Sequence, residues 1–235
     1  MNLEKEYRPS PTPMDLSKYE TSPYQIGRCQ IIQECLPAGH GKLAVDIGCG
    51  PGFFSKMLSS KGWETTAIDI DISNLNSAKK YASKAILGDA LAVLSDLPSA
   101  KYDFALALEI IEHMPKSYGE ALLIQIHRIL HSGGRLLLST PNRFSLEGLS
   151  GCYLGERILR NGKWNAWDNT HVHIYSSFEI IELMKAKGYY IDRIDGFCYD
   201  IRLPIFGRLR LPFQKTKLYP FNRFRFNIIL DCIRK

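Results

Sequence analysis

The sequence has no uncharged apolar run near the roughly 18 residues that a membrane-spanning helix needs. It has no C-x-x-C pair. Its cysteines, at 29, 35, 49, 152, 198 and 232, lie scattered. That argues against zinc ribbons and thioredoxin chemistry, and for reduced thiols in a cytoplasmic protein. The first residues, Met1–Arg8, lack the apolar stretch of a signal peptide. No internal repeat is visible. Apolar residues make up 45% and charged residues 23% of the chain. Both values are ordinary for a globular domain and exclude a disordered tail or a collagen. At 235 residues the chain can bury a full core without disulfides.

The net charge of +6 is unevenly placed. Residues 201–235 carry nine Lys or Arg and one acid, Asp231, a charge of +8. The remainder holds 21 basic and 23 acidic residues, a charge of −2. Any anionic partner is therefore expected at the C-terminal end.

Residues 1–40 read as a polar, proline-rich arm and a helix from about Ser22 to Leu36, together a lid. From residue 41 short apolar strands alternate with amphipathic helices. Strands are expected at Lys42–Asp46, Glu64–Ile70, Ala85–Leu87, Tyr102–Leu108, Arg135–Thr140, Tyr189–Tyr199 and Phe226–Arg234. Helices are expected at Phe53–Lys61, Ser73–Ala85, Tyr118–Leu130 and Ser177–Lys187, the third capped by Gly133-Gly134. Such alternation predicts an α/β fold, a doubly wound Rossmann-like sheet of seven strands, mostly parallel. The last two strands have no helix between them, so an antiparallel C-terminal edge strand is expected. Residues 142–172, with Trp164 and Trp167, and residues 200–225 are insertions in this domain of 41–235. Insertions of that length are usually functional or disordered.

The strongest motif is Val45-Asp46-Ile47-Gly48-Cys49-Gly50-Pro51-Gly52, a strand feeding a glycine turn and then a helix. Glycines let backbone pass close to a ligand, and open α/β sheets bind ligands at the carboxyl ends of strands. Asp69 ends the next strand, about 20 residues on, where an acid can hold ribose hydroxyls. Asp89 ends the third. The spacing of Gly48, Gly50 and Gly52 departs from the dinucleotide fingerprint. It resembles the first motif of the class I S-adenosylmethionine (SAM)-dependent methyltransferases. The resemblance continues through Ala67-Ile68-Asp69, Gly88-Asp89-Ala90, Tyr102-Asp103 and Ser132-Gly133-Gly134-Arg135. It implies SAM as cofactor. Asp46, Gly48, Cys49, Gly50 and Gly52 would lie along its methionine part, and Asp69 would hold the ribose. Asp89 and Ala90 would flank the adenine, with Ile70 and Glu109 completing the pocket.

The second motif is Glu109-Ile110-Ile111-Glu112-His113, after the fourth strand. On a helical turn, residues 109, 112 and 113 would share a face. Two carboxylates and an imidazole suit a divalent metal such as Mg, Mn or Zn. The pattern resembles that of the ubiquinone-biosynthesis O-methyltransferases and of the small-RNA 3′-terminal 2′-O-methyltransferases. The resemblance to both implies a metal at this motif, on Glu109, Glu112 and His113, and the resemblance to the RNA family implies a further histidine that completes the site, here His171 in Thr170-His171-Val172-His173. The alternative is metal-free: Glu109 shapes the SAM pocket, and His113 is the base or packs. Either way His113 and Glu112 are the candidate catalytic residues. Ser139-Thr140-Pro141-Asn142-Arg143 resembles an S-T-x-N-R stretch of the quinone family, a substrate contact or lid hinge, or simply a strand-ending turn.

Three functions fit. The first is O-methylation of a small or lipid-linked hydroxyl acceptor, catechol-like or a vicinal diol. Residues 201–225, rich in Arg, Lys, Phe and Leu, would then rest on an anionic membrane surface and make the cytoplasmic protein peripheral. Those residues also read as a plain solvated loop. The second is 2′-O-methylation of RNA, with the same residues gripping phosphates and bases. The third is a non-catalytic SAM-binding regulator.

Overall fold

Strand β4 (Tyr102–Leu108) shows why the sheet is covered on both sides. Its side chains alternate between two layers. Phe104, Leu106 and Leu108 join one buried cluster with Ile32, Leu58 and Trp63; Ala105 and Ala107 join the other with Leu122, Ile126 and Ile180. A strand buried on both faces reads as a continuous apolar run.

The structure, a computed structural model, describes residues 17, 21, 23–145, 170–197, 201–203, 207–209 and 225–235. Its helices are α1 (Pro23–Cys35), α2 (Phe53–Ser60), α3 (Ile72–Ala78), α4 (Ala90–Asp96), α5 (Lys116–Ile129) and α6 (Ser177–Ala186). The other strands are β1 (Leu43–Ile47), β2 (Glu64–Asp69), β3 (Lys84–Leu87), β5 (Leu130–Pro141), β6 (Tyr189–Phe197), β7 (Ile201–Leu203), β8 (Gly207–Leu209) and β9 (Asn227–Arg234). Seven strands form the main sheet in the order β3-β2-β1-β4-β5-β9-β6. The first five are parallel; β9 runs antiparallel to both β5 and β6.

The mixed, mostly parallel seven-stranded sheet matches the expectation, with one correction. The C-terminal strand is not the edge: β9 lies between β5 and β6, and β6 is outermost. Burial explains the placement. Ile228, Ile229, Leu230 and Cys232 are at most 1% exposed. β6 instead carries Asp192, Arg193 and Asp195, with Tyr190 exposed. Charges blunt an edge strand, whereas an apolar run belongs inside.

Local chemistry accounts for other differences. Helix α3 ends at Ala78, short of Ala85, because the chain must turn to pair Lys84 with Thr66 of β2. Helix α4 was not expected; its two turns are too short to show a period. Asp89 caps it by accepting Ala92 N–H at 3.0 Å. Gly133-Gly134 does not cap α5. That helix ends at Ile129, and Leu130 is already paired with Tyr102. The glycines lie in the register shift before Arg135 pairs with Phe104, with Gly133 left-handed at φ 81°. Within 200–225, β7 and β8 pair antiparallel. Most of the expected arm (1–22), residues 146–169 with Trp164 and Trp167, and most of the basic segment lie outside the described residues. Among the described residues no helix is long and apolar enough to cross a membrane.

Asn142, just past β5, ties three parts together. Its Nδ2 donates to the Arg225 carbonyl at 2.9 Å, and its Oδ1 accepts Phe144 N–H and Ser177 N–H, both at 3.1 Å. It is fully buried. Asn142→Ala should lower the unfolding free energy by about 2–3 kcal/mol, since each stranded buried partner costs of order 1 kcal/mol or more. Equilibrium denaturation by urea checks this.

Candidate active site

The strand order reverses between β1 and β4, and the crevice outside their carboxyl ends is where open α/β sheets bind ligands. Both main motifs sit there. The glycine turn follows β1, and residues 109–113 follow β4. Gly48, Gly50 and Gly52 have φ of 67°, 53° and 91°, which favour glycine. Space demands it too. A Cβ on Gly48 would lie 2.7 Å from Ile110 Cδ1, and one on Gly52 would lie 2.6 Å from Ala78 Cα. The first glycine thus admits the β4 loop, and the third admits helix α3.

Buried carboxylates hold the turn. Asp46 accepts Ser55 Oγ–H at 2.7 Å. Asp69 accepts Gly50 N–H at 2.7 Å on Oδ2 and Asp71 N–H at 2.8 Å on Oδ1. Asp71 caps α3, and hydrogen bonds from Asn74 and Ser73 hold its carboxyl below the usual range. Burial raises Asp69. Burial, and then the Asp69 charge, push Asp46 up to about 6 against the Ser55 hydrogen bond. Cys49 is buried and its thiol is pushed far up by burial, so it stays protonated. Ile70 is 42% exposed and Leu87 52% exposed, beside Asp69 and Asp89. Ala90 opens α4, and Asp89 accepts a hydrogen bond from the Tyr118 hydroxyl.

Residues 109–113 do not form one helical turn. Glu109 is left-handed at φ 55°, and only Ile111–His113 close a 3₁₀ turn. The Glu109 carboxylate turns to the sheet. Its Oε1 accepts Ser139 Oγ–H at 2.6 Å and Asn227 Nδ2–H at 2.7 Å. Glu112 is fully buried; its Oε2 accepts Thr140 Oγ1–H at 3.1 Å, and its Oε1 has no partner among the described residues. Burial first, and then Glu109, hold its carboxyl well above the ordinary range; Thr140 and Arg28 oppose this. His113 Nδ1 lies 3.3 Å from the Thr170 carbonyl, and its ring meets that of His171 edge-on at 4.8 Å. The Glu112 carbonyl accepts Val172 N–H and His173 N–H, which fixes the second histidine segment against the first.

Ligand atoms of Glu112, His113 and His171 all lie within 4.8 Å of one another. One carboxylate oxygen and two imidazole nitrogens are a donor set for a small divalent ion, and the unpartnered Oε1 fits that use. Glu109, expected as a fourth ligand, lies outside this group because its left-handed backbone aims it at β5 and β9. His173 pairs with Glu179 instead. His131 pairs with Asp103, and His127 packs edge-on against Tyr189. His40 is in the turn before β1.

Sequence reading missed three contributors. Arg28, 4% exposed on α1, lies over the Phe54 ring at 5.3 Å and acts electrostatically on Glu112. The signal was an arginine inside an apolar helix face. Tyr118 and Asn227 carried no local signal, because their partners are remote in sequence.

A glycine turn and acids at the carboxyl ends of parallel strands define a Rossmann-like, cofactor-binding α/β domain. The family described as "Methyltransferase domain" matches residues 24–194, and the chain belongs to that family. It is similar to the ubiquinone biosynthesis O-methyltransferase of Rickettsia canadensis, 29% identical over 164 residues, or 67% of this chain and 66% of that one. The enzyme of the same name from Rickettsia bellii (strain OSU 85-389) is 30% identical over 164 residues, 67% of this chain and 65% of that one. The chain spans just under two thirds of the length of these curated relatives. Among solved structures, a SAM-dependent methyltransferase from Archaeoglobus fulgidus shares the fold at TM-score 0.66 and 16% identity, over 93% of this chain and 98% of that one. So does magnesium protoporphyrin IX methyltransferase from Synechocystis with bound SAH, at TM-score 0.59 and 18% identity, over 96% and 90%.

The buried Asp46 carboxyl keeps its proton to higher pH in the folded protein than in the unfolded chain. From about pH 4 to 6 the folded protein holds this proton and the unfolded chain does not. Stability therefore falls as pH rises through that window, by at most about 3 kcal/mol at roughly 1.4 kcal/mol per pH unit. Asp46→Asn should remove this component. Urea unfolding of both proteins across pH 4–7 should show the smaller slope in the variant.

Proposed function

We propose that the protein is a SAM-dependent O-methyltransferase acting on a small or lipid-linked hydroxyl acceptor, catechol-like or a vicinal diol. The observation that carries this is the Glu112, His113 and His171 group standing beside the glycine turn. The methionine part of SAM would run along Asp46, Gly48, Cys49, Gly50 and Gly52. Asp69, anchored by backbone N–H groups, would hold ribose hydroxyls. Asp89 and the partly buried Ala90 would flank the adenine, with exposed Ile70 completing the pocket. The names of the Rickettsia relatives support oxygen as the acceptor atom.

The chemistry asks mainly for alignment, because the sulfonium is already activated. The acceptor oxygen attacks the methyl carbon in line. The O–CH₃ bond forms as the S–CH₃ bond breaks, and the sulfonium becomes a neutral thioether. With Nδ1–H donated to the Thr170 carbonyl, His113 Nε2 keeps a lone pair to take the hydroxyl proton. A divalent ion held by Glu112, His113 and His171 would instead lower the hydroxyl pKa, with His113 as ligand rather than base. Residues 201–225 would set a lipid-linked acceptor at an anionic membrane surface, a peripheral position for a cytoplasmic protein.

His113→Ala should lower turnover about 100-fold or more, with SAM affinity within about twofold of wild type; stopped assays and SAM titration measure both. Near-normal turnover would remove His113 from the chemistry. Asp69→Ala should weaken SAM binding about tenfold or more, and unchanged affinity in calorimetry would undo the cofactor assignment. Methyl-labelled SAM incubated with protein and cell extract, with and without chelator, tests the acceptor. Organic-soluble label supports the proposed reading, and its loss with chelator adds the metal. Label in RNA would replace it with 2′-O-methylation, which the same residue group also suits. Bound SAM with no transfer would point to a non-catalytic regulator.

A further inference from the structure

We infer that Asn227, on the C-terminal strand, is a positioning residue for the site, and that it works through Glu109. This rests on the methyltransferase reading for its catalytic consequence, but the geometry stands by itself. The chain leaves β4 at Leu108 and turns at Glu109 with φ 55°, a conformation that L residues seldom adopt. Such backbone persists only where surroundings over-determine it. Here three hydrogen bonds do so. Glu109 N–H donates to the Ser139 carbonyl at 3.0 Å, and Glu109 Oε1 accepts from Ser139 Oγ and from Asn227 Nδ2.

The turn has two consequences. It packs Ile110 against Gly48, where an added Cβ would meet Ile110 Cδ1 at 2.7 Å. It also brings residues 111–113 into the 3₁₀ turn that presents Glu112 and His113 to His171. Asn227 is 118 residues from Glu109 in sequence and fully buried. Its own place is set by register, opposite Pro141 on β5 and Phe197 on β6. The chain just before it is tied down as well, because the Phe226 carbonyl accepts Asn142 N–H at 2.8 Å. The site thus depends on strand β9, which contributes no residue to the Glu112, His113 and His171 group.

The pair is polar in a defined sense, an amide donating to a carboxylate. Asn227→Asp removes the donor and sets two carboxylates together. Adding Glu109→Gln reverses the polarity, so that an amide on 109 donates to a carboxylate on 227. In the full chain, Asn227→Asp should lower kcat about tenfold or more with SAM affinity within about twofold. The double variant should recover most of that loss. Amide hydrogen exchange at residues 109–113 should speed up in the single variant and slow again in the double. Should Asn227→Asp fail to fold, Ser139→Ala removes the other donor to the same oxygen and should show the same kcat loss and faster exchange. The proposal is overturned if a folded single variant keeps wild-type exchange at 109–113. It is also overturned if the double variant recovers neither exchange nor kcat. If no variant, nor the wild type, transfers methyl groups while exchange behaves as stated, the functional reading fails and the positioning role stands.

Discussion

The end of strand β5 holds the candidate site in shape. Ser139 and Thr140 are consecutive, and each grips one glutamate of the loop after β4: Ser139 takes Glu109 and Thr140 takes Glu112. Two residues on, Asn142 fixes the approach to β9 and the start of α6. Parallel pairing of β4 with β5 is what makes this possible, because it brings the carboxyl ends of the two strands level, with Leu108 opposite Ser139. The Ser139–Arg143 stretch, expected as a substrate contact or a hinge, has three of its side chains committed to holding other residues.

Charge burial is the cost of this arrangement. Asp46, Asp69 and Glu112 are all buried near the carboxyl edge of the sheet, and burial is the leading cause of the raised pKa of each. Desolvated acids favour a cation nearby or the retention of their own protons. On the proposed reading the bound cofactor is itself a cation, a sulfonium, and residues 112, 113 and 171 form a second place where positive charge would be welcome. Backbone N–H donors to Asp69 and hydroxyl donors to Asp46 and Glu112 keep these acids oriented at the expense of stability, a trade that recurs at functional sites.

Much of the fold, and the placement of part of the candidate site, was legible in the sequence. The glycine turn, Asp69 and Asp89 were readable because each depends on local order: a strand, then a turn, then a helix. β4 was readable to the residue because an apolar run buried on both faces has no other place in an α/β sheet. The inner position of β9 was misread, although the apolar stretch Ile228–Leu230 and the charges on β6 point to it. Helix α4 and the end of α3 were obscured, since helices of seven residues show too little period. The spacing E-x-x-E-H was visible, but a face shared by all three residues was not what it encoded.

By itself the sequence determined the alternation of strands and helices, the φ freedom at Gly48, Gly50 and Gly52, and the side-chain chemistry available after each strand. These follow from near-neighbour sterics, hydrophobic period and residue type. Tertiary structure alone decided that Glu109 leaves the Glu112, His113 and His171 group, that Arg28 reaches the field of Glu112, and that Asn227 braces the loop. Each of those depends on strands and helices far apart in the chain meeting at one sheet end. Such a meeting is set by sheet order and burial, not by any spacing along the chain.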